Sequence, residues 1–398
     1  MRSPAHRKHH LTIWEEIRVP LNFKQCVHRN DLNRCRGVLL LLVTALSVCC
    51  DSQLTAQEKP SSVVLSERGR QVHFSGMLFD GHNDLPWELR QNGNSSFEKV
   101  DIARLQPQQH TDIPRLQQGG VKAQFWSVYV PAETDATGDA LLQTLQQIDI
   151  VQRMLKRYPE TFAAASSADD IERIVASGKI ASMMGVEGGH CIQGEIGNLQ
   201  RLYDLGCRYM TLTHSKTLSW ADSATDEAKH GGLTEFGEEV IREMNRLGML
   251  VDVSHVSPDV MRQAIRVSAA PVIFSHSSVR SLTDHPRNVP DDVLVMLKEK
   301  DGVVMINFYS GFIVPTDVLK TSEKARGTIH DVLDHIAHAV SVAGAEHVGI
   351  GSDFDGISRV PIQLEDVSCY PLITQGLLDR GYSETVIHGI LGGNVMRV

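Results

Sequence analysis

From residue 75 onward the chain repeats one theme: a short, almost continuously apolar run, a polar or glycine turn, then a longer amphipathic stretch. The runs fall at 77–81, 121–130, 179–186, 208–213, 249–254, 271–275, 302–308 and 347–352. Strands apolar on both sides are what a parallel sheet covered by helices requires. The stretches 140–158, 233–248 and 328–344 predict helices. The last sets Ile329, Val332, Leu333, Ile336, Ala337 and Val340 at the three-and-four spacing of one helical face. About eight such units predict an α/β fold closed as a (β/α)8 TIM barrel, more than an open doubly wound sheet. No G-x-G-x-x-G follows the first run, against a dinucleotide site. No internal repeat or linker divides the region.

The histidines and acids track the ends of these runs. His82 and Asp84 end the first, Glu187 the third, His214 the fourth, His255 the fifth, His276 the sixth and Asp353 the eighth. In a parallel barrel all those ends open on one face, where active sites are built. On an extended backbone His82 and Asp84, two residues apart, point to the same side and can grip one ion. Glu187 stands between Gly185 and Gly188-Gly189, which let backbone approach a crowded centre, and a carboxylate can bridge two cations. His190, three residues further, reads as loop structure. His255 and His276 each close a strand in a Ser-His pair and complete a second metal position; mixed His and carboxylate donors suit catalytic zinc. Two ions sharing a Glu lower the pKa of a bridging water and polarise a carbonyl. His214 is then free to donate to a developing oxyanion. Asp353 is free to move a proton from water to a leaving amine. Asp355 is a look-alike for Asp353. For Arg287 two readings stand level: a bidentate clamp on a substrate carboxylate, or a surface residue capping the next helix.

The net charge is −9, and residues 1–36 hold eight Arg or Lys against three acids, leaving −14 on the rest. An acidic body disfavours a nucleic-acid partner and simple docking on anionic lipid. Arg34 and Arg36 precede the apolar GVLLLLVTALSVCC (37–50), followed by a polar stretch. That is the pattern of an export signal, too short to span a bilayer comfortably; a buried core helix is the competing reading. Residues 1–56 are therefore expected to be a basic leader with export signal and linker, and 70–398 the catalytic barrel. The product is expected to be exported, either periplasmic or secreted. LSVC at 46–49 resembles a lipoprotein cleavage site, with Val48 larger than the usual small residue, which leaves a lipid anchor open. Cys26, Cys35, Cys49 and Cys50 lie in or before that segment, and Cys191, Cys207 and Cys369 read as packing residues without zinc-finger spacing. Asn94-Ser95-Ser96 is a glycosylation acceptor only in a eukaryotic secretory route.

Several motifs together resemble the membrane (renal) dipeptidase family, zinc barrels of the amidohydrolase type. They are FDGHNDLPW (79–87), GVEGGH (185–190), YMTLTHS (209–215), DVSHVS (252–257), PVIFSHSS (271–278), RNVPDD (287–292), VGIGSDFDG (348–356) and GGN (392–394). The resemblance covers roughly residues 70–398. It implies two zinc ions per subunit: His82 and Asp84 on one, His255 and His276 on the other, Glu187 bridging. It implies dipeptide hydrolysis by a metal-bridging hydroxide, with tolerance of a D-residue at the C-terminal position and a homodimer. Catalysis then falls on Glu187, His214 and Asp353; His214 meets the scissile carbonyl, Arg287 the substrate carboxylate and Asp353 the proton. Lys216 departs from the family, where a Cys is expected. Two rivals remain: a related amidohydrolase acting on another amide, lactone or β-lactam, and a non-catalytic binding member of the family.

Overall fold

A computed structural model describes residues 62–398. The expected leader, its export signal and its cysteines lie outside the described residues. Nine parallel strands run in chain order: β1 (Leu78–Asn83), β2 (Val121–Ser127), β3 (Phe162–Ala164), β4 (Ile180–Glu187), β5 (Cys207–Thr211), β6 (Leu250–Asp252), β7 (Ile273–Phe274), β8 (Val303–Ile306) and β9 (Val348–Ile350). β2 pairs with both β1 and β4, and β9 with both β8 and β1, so eight strands close on themselves. This is the (β/α)8 barrel that the alternating pattern predicts. β3 is the addition: it pairs with the first residues of β4, Phe162 against Ile180, while β5 takes the last. Only Phe162 of its three residues is buried, so no continuous apolar run marks it in sequence.

The helices form where the amphipathic stretches end in good caps. Ile329–Ala343 opens on a capping box, in which the Thr328 side chain accepts from the third backbone N–H and Asp331 reaches back. It buries Ile329, Val332, Leu333 and Ile336. Glu235–Leu247 starts at Thr234, whose side chain accepts from the Gly237 N–H, and stops at Gly248, which takes the left-handed conformation at φ 75°. The folded body begins ahead of the expected start at residue 70. Helix Glu67–Ser75, capped by Ser66, is held by His73 Nδ1 at 2.7 Å from Thr374 Oγ1 and by the Ser66 hydroxyl donating to Gln375.

Two apolar layers result. One lies between strands and helices. The other fills the lower barrel with Phe79, Phe125, Met183, Tyr209, Ile273, Val303 and Met305, joined by Val395 from the C-terminal helix. Phe125 stacks on Phe79 at 5.5 Å between centroids and meets Tyr209 at 4.8 Å. Among the described residues no helix is long and apolar enough to cross a membrane. Cys191, Cys207 and Cys369 are free thiols, two of them buried, and Asn94 is exposed.

Candidate metal centre and active-site cleft

The C-terminal ends of the strands open into a cleft of about 690 Å³ lined by Asp84, Glu187, His214, His255, Arg287 and Asp353. His82 and His276 lie just beneath, buried at 0% and 1% exposure. All seven strand-end residues named from sequence therefore meet at one place, and Arg287 joins them.

The local geometry differs from a simple extended strand at His82. β1 shifts register between Asp80 and Asn83, the kind of irregularity that re-aims a side chain beside a site. Asp84 has already left the strand: with φ −98° and ψ 18° it caps helix Leu85–Gln91. The expectation that both share one face of an extended chain is therefore corrected. The turn, not the pleat, brings Asp84 Oδ2 to 3.2 Å from His82 Nε2.

Glu187 is the hub. Its Oε2 lies 3.5 Å from His82 Nε2 and accepts from the Ser127 hydroxyl at 3.0 Å. Its Oε1 lies 3.1 Å from His255 Nε2, 3.5 Å from His276 Nε2 and 3.7 Å from His214 Nε2. Gly185 is required here, because a Cβ would fall 1.9 Å from the Tyr209 ring. His255 and Asp353 stand in the left-handed region, at φ 66° and 65°. Non-glycine residues hold that conformation at a cost, and such positions gather at functional sites.

The donors are those of a cation site. His82, Glu187 and His276, then Glu187, His214 and His255, then His82, Asp84 and Asp353, form three groups whose ligand atoms lie within 4.8 Å of one another. His82 Nε2 and Asp84 Oδ1 are buried without a hydrogen-bond partner, an arrangement costly in a protein interior unless something else satisfies them. Supporting contacts orient the rings. Ser275 Oγ donates to Asp252 Oδ2 at 2.6 Å and so accepts from His276 Nδ1 at 2.7 Å, leaving the His276 Nε2 lone pair for the centre. The Tyr209 hydroxyl holds His82 Nδ1 at 2.7 Å.

Electrostatics point the same way. Burial, then the Arg287 cation and neighbouring histidines, hold His255 and His276 well below the usual histidine pKa, in the neutral form that ligates. Burial opposes charge on His82, yet Tyr209, Glu187 and Asp84 carry it well above its usual value; a cation there would replace that proton. Burial likewise opposes charge on Glu187, but His82 and His255 hold it well below the usual range. Burial pushes Asp353 up to about 8, with Asp84 and Glu187 adding and His82 opposing. Its Oδ2 accepts from Asn307 at 2.8 Å.

Arg287 resolves in favour of the cleft. It is 3% exposed, donates to Ser277 Oγ at 3.4 Å and the His276 carbonyl at 3.3 Å, and lies over the Phe312 ring. His190 stays out of the cluster, buried with Nε2 at 3.1 Å from the Val130 carbonyl. Asp355 binds instead to His110, accepting its backbone N–H at 2.6 Å and giving its own N–H to His110 Nδ1 at 2.9 Å. Sequence reasoning missed Ser127, Tyr209, Asp252, Ser275 and Asn307 as supports. Only the serines of the two Ser-His pairs carried a signal, by adjacency.

A parallel barrel whose strand ends gather imidazoles around a shared carboxylate is the arrangement of a metal-dependent hydrolase. The chain belongs to the membrane dipeptidase family (Peptidase family M19), whose family model matches residues 66–398. It is a metal-dependent dipeptidase of that family. It is 47% identical over 397 residues to an uncharacterized dipeptidase of Schizosaccharomyces pombe, covering 96% of this chain and 93% of that protein. It is 43% identical over 326 residues to Dipeptidase 3 of Mus musculus, covering 81% of this chain and 63% of the mouse protein. Among solved structures, a metallo peptidase from Rhodobacter sphaeroides, liganded with a phosphinate mimic of L-Ala-D-Ala, is 26% identical. Its TM-score is 0.71, covering 81% of this chain and 97% of that one. The probable dipeptidase PvdM from Pseudomonas aeruginosa shares the fold, with TM-score 0.75 and 23% identity over 83% of this chain and 96% of that one.

Proposed function

We propose that the chain hydrolyses dipeptides with two zinc ions, one held by His82 and Asp84, the other by His255 and His276, with Glu187 bridging. The observation that carries this reading is the convergence of buried, unpartnered or neutral nitrogens on the two oxygens of Glu187. Zinc bound there supplies Lewis acidity and makes water acidic enough to attack near neutral pH. This chain's own residues do the rest. Arg287 takes the substrate carboxylate through its guanidinium. His214 Nε2 donates to the carbonyl oxygen as charge builds there. Asp353, placed against Asn307, takes the proton of the attacking water and returns it to the leaving amine.

The bound L-Ala-D-Ala mimic in the Rhodobacter sphaeroides relative favours tolerance of a D-residue at the C-terminal position. The apolar 37–50 segment behind Arg34 and Arg36 favours export, with a lipid anchor at 46–49 as the alternative to release, and the family resemblance supports a homodimer. The test measures metal per chain and hydrolysis of L-L and L-D dipeptides, with and without chelator. Two zinc equivalents, chelator-sensitive cleavage of both series and restoration by zinc are expected. One equivalent, or cleavage indifferent to chelator, would sink the two-zinc reading.

A further inference from the structure

Among the cleft residues, Glu88 is a carboxylate that neither this chemistry nor a histidine engages. Helix Leu85–Gln91 starts directly after Asp84, so Glu88 falls one turn further along the same face, about 5–6 Å away between Cβ atoms. Glu88 lines the same cleft and is half-buried. Its carboxylate accepts from Asn92 Nδ2 and, among the described residues, it forms no ion pair. The other cleft carboxylates have work already: Asp84 and Glu187 meet the histidines, Asp353 carries the proton in the proposed chemistry, and Asp355 is tied to His110. Arg90, on the same helix, is turned away to Gln146 and Gln147.

Direction follows from the rest of the site. With the substrate carboxylate on Arg287 and the scissile carbonyl at Glu187, the cleft wall left for the N-terminal residue includes Asp84 and, one helical turn from it, Glu88 with Trp87 beside it. A lysine stem of four carbons is comparable in length with one helical pitch, about 5.4 Å, and lays its methylenes on apolar surface while keeping its ammonium free.

We propose that Glu88 forms a subsite for a cationic side chain on the N-terminal residue of the substrate, selecting lysine, arginine or ornithine there. The inference rests on the dipeptidase reading of the site. The test compares kcat/KM for Lys-Ala, norleucine-Ala and Glu-Ala, where norleucine keeps the stem of lysine without its charge. Wild type is expected to prefer Lys-Ala over norleucine-Ala by roughly twofold to fivefold, the upper range of a solvent-exposed charge pair, and less at high salt. Glu88→Gln should bring that ratio close to one, and Glu88→Lys should shift preference toward Glu-Ala. A ratio near one in wild type, or one that survives Glu88→Gln, would overturn the subsite. So would equal slowing of both peptides by Glu88→Gln, which would place Glu88 on the α-ammonium. No hydrolysis of any of the three would overturn the dipeptidase reading and the subsite together.

Discussion

The two ends of the barrel are built from the same strands and obey opposite rules. At the lower end Phe79, Phe125, Met183, Ile273, Val303 and Met305 fill the interior with apolar volume. At the upper end the interior holds His82, Glu187, His255, His276 and Asp353, with buried polar atoms unpartnered and two residues in left-handed backbone. The lower end lowers the free energy of the fold. The upper end raises it and keeps the chemistry. Closing eight strands makes this division affordable, because packing below holds residues above in positions they would not choose alone.

Substitutions at the two ends should therefore fail differently. Asp353→Asn is expected to lower kcat by about 10²–10⁴-fold without lowering the unfolding midpoint, because the amide keeps the shape of the carboxylate and its oxygen can still accept from Asn307. Metal analysis of the variant checks the role: metal loss would make Asp353 a ligand instead. Met183→Ala, in the lower core, should cost about 2–5 kcal/mol in denaturant unfolding while kcat per folded molecule stays at the wild-type value. A large fall in kcat would show that the ends are not separable.

Gly356 sharpens the comparison at the cleft. A Cβ there would sit 2.2 Å from Asp84 Oδ2 and 2.6 Å from Asp353 Oδ1, so Gly356→Ala must push these carboxylates apart. A displacement of that size should slow turnover by about 10²-fold and weaken metal retention, read by metal content after dialysis. Unchanged turnover and metal content would mean the loop shifts at no cost.

The smallest effect lies in the helical layer. His335 accepts from the Val279 N–H at 3.0 Å, and its Nε2 lies 3.2 Å from the Ile313 carbonyl, so its neutral form is satisfied. Burial holds its pKa at about 4, against 6.5 for the unfolded chain. The unfolded state binds the proton first, so this contribution is complete above pH 6.5 and is lost as pH falls toward 4. About 1.4 kcal/mol per pH unit across that window means that the cost of His335→Gln at pH 7.5 should shrink by roughly 2–3 kcal/mol at pH 4.5. An equal cost at both pH values would contradict it.

How much was legible in sequence follows the same division. The eight barrel runs and the strand-end positions of the clustered residues could be read, because a strand buried on both faces must be largely apolar and its polar terminus then stands out. β3 could not, because only Phe162 of its three residues is buried and no apolar run marks it. Arg287 stayed ambiguous because its burial depends on Phe312 and Ser277, both distant from it in the sequence or separated by a turn.

By itself the sequence determined the barrel, the face that carries the site and the identity of the residues that end its strands, because strand periodicity and strand ends are local properties. Only the tertiary structure decided that Asp84 reaches His82 through a turn, that Tyr209, Ser275 and Asn307 orient the site, and that Glu88 lines the same cleft. The supports are contacts between segments far apart in the chain, and the turn at Asp84 is held by the Phe354 carbonyl from just past β9, the last strand of the barrel. No local pattern records them, since barrel closure alone sets which side chains meet.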